Sequence, residues 1–408
     1  MSTGGWIALA VGVVVLAVAA FLIIRRVRYT RALATRGWTF DSSPPLESVL
    51  DHQAPPFGLG FDRSADELIS GTTAGGVAFR VFEYAYAGAG PKDDQRLASL
   101  RLPHPLPDLF LTTDTPRAGI TAAPVDFGPG LSVHAFDPAY ARAVLSGPVM
   151  DAVRTFTRPG RALDLSVDGD HLVSAGAPKD PEELAGYLEA LAPVATTLGS
   201  ASAGWAVPPR PPGFHFYGRP DWVLDDRDDS LIAKYGLTTA GHNHRTEKII
   251  RGGNDGLPLE AFVHRWQTTR TETSTDSEGR TTTRTVTENH DETVLAITLP
   301  FPWPLLSVDG GWGGQKVRFE SEEFNDAFTV RTSEPKFASD VIHPRQMEYL
   351  LAVRPPGFRI EGRLMRFYPS QHDTLLIGRC ADVAHGFLTR VPAFVWKDLG
   401  ITPPAFRG

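Results

Sequence analysis

Four histidines stand close together in the second half of the chain: His242 and His244, two apart, then His264 and His290. Imidazole is the commonest metal ligand and a general base at neutral pH, so these residues are the first to test for chemistry. A metal site needs several ligands to converge. Nothing in this spacing forces convergence, and the four read as polar surface. Asp309-Gly310-Gly311-Trp312-Gly313-Gly314-Gln315-Lys316 comes nearest to a phosphate-cradling loop. Its lysine lacks the preceding glycine and following hydroxyl of such loops, so it reads as a turn between strands. Ser200 and Ser202 lack the glycine frame of a nucleophile elbow. Cys380 has no base beside it in sequence and reads as a small buried apolar residue. Phe301, Trp303 and Trp312 read as core aromatics. The acids Asp221, Asp225, Asp226, Asp228 and Asp229 do not have calcium-loop spacing. The His-Glu-x-x-His pattern and the dinucleotide fingerprint are absent. No catalytic, cofactor-binding or metal-binding residue is assigned.

The elements that would position any site are organised by an internal duplication. Leu102-Pro103-His104-Pro105-Leu106-Pro107 matches Leu299-Pro300-Phe301-Pro302-Trp303-Pro304. At the same offset Pro138-Ala139-Tyr140-Ala141 matches Pro335-Lys336-Phe337-Ala338, and Val144, Leu145 and Met150 fall on Val341, Ile342 and Met347. Gly186-Tyr187-Leu188 matches Gly386-Phe387-Leu388, and Leu33-Ala34-Thr35-Arg36-Gly37 parallels Ile232-Ala233-Lys234-Tyr235-Gly236. Blocks recurring in the same order define a tandem repeat. The shared positions are proline, aromatic, aliphatic and small residues, which determine a fold. No acid, base or ligand set recurs.

The domains expected are residues 31–198 and 230–402, joined by a Pro-rich and acidic linker at 199–229, with a tail at 403–408. Each repeat reads as α+β, an antiparallel sheet with covering helices. Alternation from Val77 to Tyr86 predicts a strand. Three prolines at alternate positions predict an extended run along a sheet edge. Asp137-Pro138 and Asp180-Pro181 predict helix N-caps. Asp168-Gly169 predicts a two-residue hairpin turn between strands at 163–167 and 171–174, with a second hairpin at 363–368 and 374–378. Repeat two carries an insertion, 267–293, rich in Thr and Arg around Asp276, Ser277, Glu278 and Gly279. It reads as a projecting hairpin with an edge open to a partner strand.

A net charge of -7 argues against a general nucleic-acid binder. The single cysteine excludes an intramolecular disulfide. Residues 6–24 carry no charge, and at ~1.5 Å per residue they would span about 28 Å, close to the roughly 30 Å bilayer core. Trp6 and Ile24 bound that run, and Arg25, Arg26 and Arg28 follow it. The sequence therefore predicts an anchor over 1–30: one transmembrane helix with the N-terminus outside and the bulk of the chain cytoplasmic.

The stretch Phe324-Asn325-Asp326-Ala327-Phe328-Thr329-Val330-Arg331-Thr332-Ser333-Glu334-Pro335-Lys336-Phe337-Ala338, with the helix after it, resembles uncharacterised actinobacterial single-pass membrane proteins that carry a bacterial membrane-associated domain of unknown function. The resemblance covers mostly repeat two. It implies a membrane tether and supplies no activity and no site residues. The function expected is a membrane-tethered cytoplasmic binding or scaffold protein, with membrane, protein or lipid partners, no nucleic acid and no cofactor. The alternatives are a lipid or apolar small-ligand binder at the inner leaflet, and a hydrolase with a non-standard site.

Overall fold

The computed structural model describes residues 3–402 except 89–94, 158–161, 255, 276–280 and 312, with first-helix side chains described from Leu16 onward. The chain divides into two compact units. One comprises Met1–Gly58, Asp62–Ala87 and Lys92–Tyr217; the other comprises Leu59–Phe61, Gly88–Pro91 and Gly218–Gly408.

The elements of the first sheet region are α1 (Thr3–Ala34), β1 (Thr39–Asp41), β2 (Phe61–Thr72), β3 (Ala78–Ala87), β4 (Gln95–Thr112), β5 (Ala123–Val125) and β6 (Ser132–Ala135), then α2 (Pro138–Val144), α3 (Gly147–Phe156), β7 (Asp164–Ala175) and α4 (Pro181–Ala201). The strand order is β1-β2-β3-β4-β6-β5, with β7 on the other edge of β4. The second region repeats the plan with β8 (Val223–Arg227), α5 (Ser230–Lys234), β9 (His242–Asn254), β10 (Leu257–Thr275), β11 (Thr281–Val308), β12 (Gln315–Val317), α6 (Glu322–Ala327), β13 (Val330–Thr332), α7 (Pro335–Val341), α8 (Pro344–Val353), β14 (Phe358–Phe367), α9 (Thr374–Thr389) and α10 (Ala393–Asp398). Its order is β12-β13-β11-β10-β9-β8, with β14 on β11. Read strand for strand, the two orders are the same, so the tandem sheets are duplicates.

Local chemistry explains the helices. Asp137 accepts from the backbone N–H groups of Ala139 and Tyr140 at 2.8 and 3.3 Å, and Asp180 from those of Glu182 and Glu183 at 2.9 and 3.1 Å. Each caps a helix with proline in its first turn. Leu184, Leu188, Leu191, Ala195 and Leu198 then form one buried stripe of α4. That stripe shares a core with Leu100, Leu109, Leu111 and Val167 of the sheet. In the second unit Trp303 meets Phe337 and Trp396 edge-on, while Phe387 of α9 meets Phe358 of β14. Cys380 is fully buried on α9, and burial pushes its thiol up to about 12.

The proline blocks lie within long inner strands, not along edges. β4 pairs with β3 from Gln95 to Leu100 and with β6 from Leu109 to Thr112. Pro103, Pro105 and Pro107 occupy the interval where one neighbour gives way to the next, and there a missing N–H costs no ladder bond. β11 places Pro300, Pro302 and Pro304 in the matching interval before β13 joins at Leu306. Both expected hairpins are likewise corrected. Asp164–Ala175 is one strand, as is Phe358–Phe367, and the stretch after the latter opens α9. Gly169 and Gly362 are the kinks in these strands, at φ 58° and 57°. They stand opposite Leu106 and Trp303, where the ladder shifts register.

The expected transmembrane span is also corrected. Among the described residues no helix is long and apolar enough to cross a membrane. Helix α1 continues unbroken through Arg25, Arg26 and Arg28 to Ala34. The anchor bounded by Trp6 and Ile24, integral membrane attachment, and the single-pass localisation with a cytoplasmic body are withdrawn with it. The far end of α1 belongs to the first unit's core. Leu33 is fully buried there, and Tyr29 meets Phe40 edge-on at 5.6 Å.

Candidate functional site: a ribbon and the groove at its root

β10 and β11 pair antiparallel from Leu259↔Ile297 out to Thr275↔Thr281. β9 accompanies β10 only as far as Gln267↔His242, and β14 meets β11 only from Leu295. Beyond those points the two strands form a ribbon, and among the described residues no third strand pairs with either outer edge. The side chains from Thr269 to Ser274 and from Thr281 to Thr285 are all exposed. Arg270 reaches Glu272 and Glu288, each at 2.8 Å, but exposed pairs of this kind contribute little. Asp276, Ser277, Glu278 and Gly279, expected at the tip, lie outside the described residues.

The ribbon is rooted in a stack of flat rings. The His264 and Trp266 centroids are 4.9 Å apart with planes 23° from parallel, and Trp266 and His290 are 5.2 Å apart at 19°. His244 stacks on His264 at 5.3 Å. His264 is fully buried; its Nδ1 lies 3.0 Å from Glu292 Oε1 and its Nε2 lies 3.1 Å from His244 Nδ1. Thr268 Oγ1 lies 2.7 Å from His290 Nε2. Three of the four histidines thus converge, contrary to the reading of scattered surface. They converge as a stack, and no group of three or more His, Cys, Asp or Glu residues able to hold a metal occurs among the described residues. Part of a sequence signal existed: folding the hairpin symmetrically about Asp276–Gly279 brings His290 to Arg265, one residue short of the observed pairing of His290 with Trp266 and Glu292 with His264.

Beside the stack a groove of about 640 Å³ is lined by Arg227, Asn243, His244, Arg245, Arg265, Trp266, Gln267, Asn289, His290 and Asp291. Its amides form a chain: Asn243 donates to Gln267 at 2.6 Å, and Gln267 donates to Asn289 at 2.9 Å. Asn243 holds a left-handed backbone, φ 56°, where β9 bulges against β10.

The first unit contains a second polar cluster. His52 Nε2 lies 2.8 Å from Ser99 Oγ, and His52 Nδ1 lies 2.9 Å from Asp51 Oδ1. The order of groups is that of a nucleophile, a base and an orienting acid. Ser99, His52 and His171 are only 1, 2 and 3 % exposed, so the hydroxyl cannot meet a substrate without opening the sheet. Burial, with His52 beside it, pulls His171 down to about 2. This is a structural network. Nearby, Arg210 bridges two buried acids. It donates to Asp168 at 2.7 Å and to Asp108, while Asp168 also accepts from the backbone N–H groups of Gln53 and Ala54. Arg210 lies in the Pro-rich stretch read as a linker, and Gln53 donates to Pro211 of the same stretch at 2.8 Å.

No protein-family model matches the chain, and no curated protein sequence matches it. Among solved structures it is similar to the mycobacterial trehalose monomycolate transport factor A, TtfA. The identity is 15%, the match covers 45% of this chain and 96% of that one, and the TM-score is 0.31. A superposition of that quality assigns neither fold nor function.

Proposed function

We propose that the chain is a binding protein and that the β10–β11 ribbon takes on its partner, an extended strand of another protein added along one ribbon edge. The observation that carries this reading is the pairing pattern. Neither β9 nor β14 follows the hairpin outward, so along the ribbon's outer edges no third strand pairs with the backbone among the described residues. A two-stranded ribbon is marginal in water, and an open edge invites pairing. Strand addition satisfies an edge's backbone groups and takes its affinity from main-chain hydrogen bonds. Alternating threonines suit such a strand, being β-formers that remain wettable.

The alternatives find less support. The groove is lined by charged and amide side chains, unlike an apolar-ligand site. The pocket at Phe156 and Leu163 of the first unit has about 10 Å³, room for no more than a water. A hydrolase would need the Ser99 hydroxyl exposed.

A photo-crosslinking residue at Thr271 or Thr285 of the full chain in cells should give a discrete adduct, and one at Lys336 should not. Thr269→Pro with Thr273→Pro, which removes edge N–H groups, should abolish the adduct. Adducts of equal yield in the proline variant would sink strand addition.

A further inference from the structure

We propose that the groove at the ribbon's root binds a phosphoryl group carried on a small molecule that also presents a hydroxyl or amine donor. Four neighbouring strands build the wall in order: Arg227 from β8, Arg245 from β9, Arg265 from β10 and Asp291 from β11. Charge therefore runs from positive to negative across the groove. The three guanidiniums and Asp291 share one face of the sheet, while Trp266 and His290, one position along each strand, belong to the other. The volume of about 640 Å³ suits a small molecule.

The three arginines are held in their row by fixed counter-charges. Arg245 stands directly opposite Arg265 across the β9–β10 ladder. Like charges at opposed positions weaken strand pairing. Glu247 holds the two together, lying 3.1 Å from Arg245 Nε and bonded to Arg265 Nη1. Arg227 pairs opposite Glu247 across β8–β9, and Asp229 grips it at 2.5 and 2.9 Å. Glu247 and Asp229 are not among the lining residues, so the counter-charges orient the forks from outside the groove's wall. A guanidinium has five N–H donors, and these ion pairs use one or two of each. The remaining donors can meet several oxygens of one phosphoryl group, the geometry in which arginine excels. Asp291, at the far end of the row, repels the anion and accepts from the donor on the same ligand.

Strand addition at the ribbon edges is a separate matter, and either idea survives failure of the other. The test titrates the full chain with glycerol 3-phosphate at constant ionic strength, following the unfolding midpoint and binding heat. In parallel it measures co-sedimentation with phosphatidylcholine vesicles with and without phosphatidic acid. Glycerol 3-phosphate should bind and raise the midpoint. Arg245→Gln, Arg265→Gln and the more exposed Arg227→Gln should each weaken binding by about tenfold or more, while Lys336→Gln leaves it unchanged. If the free phosphate does not bind but phosphatidic acid vesicles do, with the same arginine dependence, the phosphoryl group is that of a lipid head and the inference stands. Binding of neither, or binding that ignores all three arginines in variants with wild-type midpoints, overturns it.

Discussion

The Nε2 atom of His264 lies 3.1 Å from Nδ1 of His244, and its Nδ1 lies 3.0 Å from Glu292 Oε1. A carboxylate only accepts, so His264 carries its proton on Nδ1 and offers Nε2 as an acceptor. His244 must then carry its proton on Nδ1, which leaves its Nε2 bare. Glu292 thus sets both tautomers. Nitrogen NMR shifts should show Nδ1–H on both rings, and an Nε2–H tautomer at His264 would refute the relay. Glu292→Ala leaves a buried donor unmatched and should cost about 1–3 kcal/mol in a urea unfolding experiment.

The two kinked strands allow a paired test of the duplication. Gly169 and Gly362 both adopt a left-handed backbone, and a Cβ added at either would meet nothing within 4 Å. Substitution there is penalised by conformation alone. Gly169→Ala and Gly362→Ala should each destabilise by roughly 1–2 kcal/mol, and by similar amounts. A cost several times larger at one site would show that the two kinks are not equivalent.

The duplication was legible because its markers are local and chemically peculiar. Proline at alternate positions tolerates only the interval where one strand neighbour gives way to another, and both sheets need that interval. The helix caps at Asp137 and Asp180 were legible for the same reason, since a cap is a contact within three residues. Asp168-Gly169 misled because the dipeptide favours a turn locally, while pairing with β4 draws the whole segment straight. The histidine stack was half legible. The hairpin brings β10 and β11 side by side but leaves their register one residue short of the observed one, and His244 arrives from β9 through a bulge at Asn243 that no local signal announces. The long uncharged run near the N-terminus led to an anchor that the described helix does not support, because nothing in that run marks where the helix would stop and α1 in fact continues to Ala34.

Acid should unfold the first unit through His171. Burial, with His52 beside it, depresses the folded value to about 2, against about 6.5 when unfolded. Below pH 6.5 the unfolded chain therefore binds a proton that the folded chain refuses. Stability from this group is complete above that pH and falls as the pH drops, approaching ~1.4 kcal/mol per unit. His171→Gln should flatten the limb between pH 6 and roughly pH 4 in urea unfolding. An unchanged slope would mean that the ring already carries a proton in the fold.

Arg210 should matter more as the pH rises. It bridges Asp108 and Asp168, which are 4 and 1 % exposed. Burial pushes the Asp108 carboxyl up to about 6, although Arg210 pulls the other way. A raised folded value means the folded state holds the proton more tightly, so this group's contribution falls as pH climbs from about 4 through 6. Arg210→Ala takes the cation from both carboxyl groups and should cost about 3–5 kcal/mol at pH 8, where Asp108 is charged. At pH 5 Asp108 is largely protonated and only Asp168 loses its partner, so the cost should be clearly smaller. Urea unfolding of wild type and variant at the two pH values measures the difference directly. Equal costs at both would show that Asp108 is already ionised at pH 5 and that Arg210, not burial, governs the site.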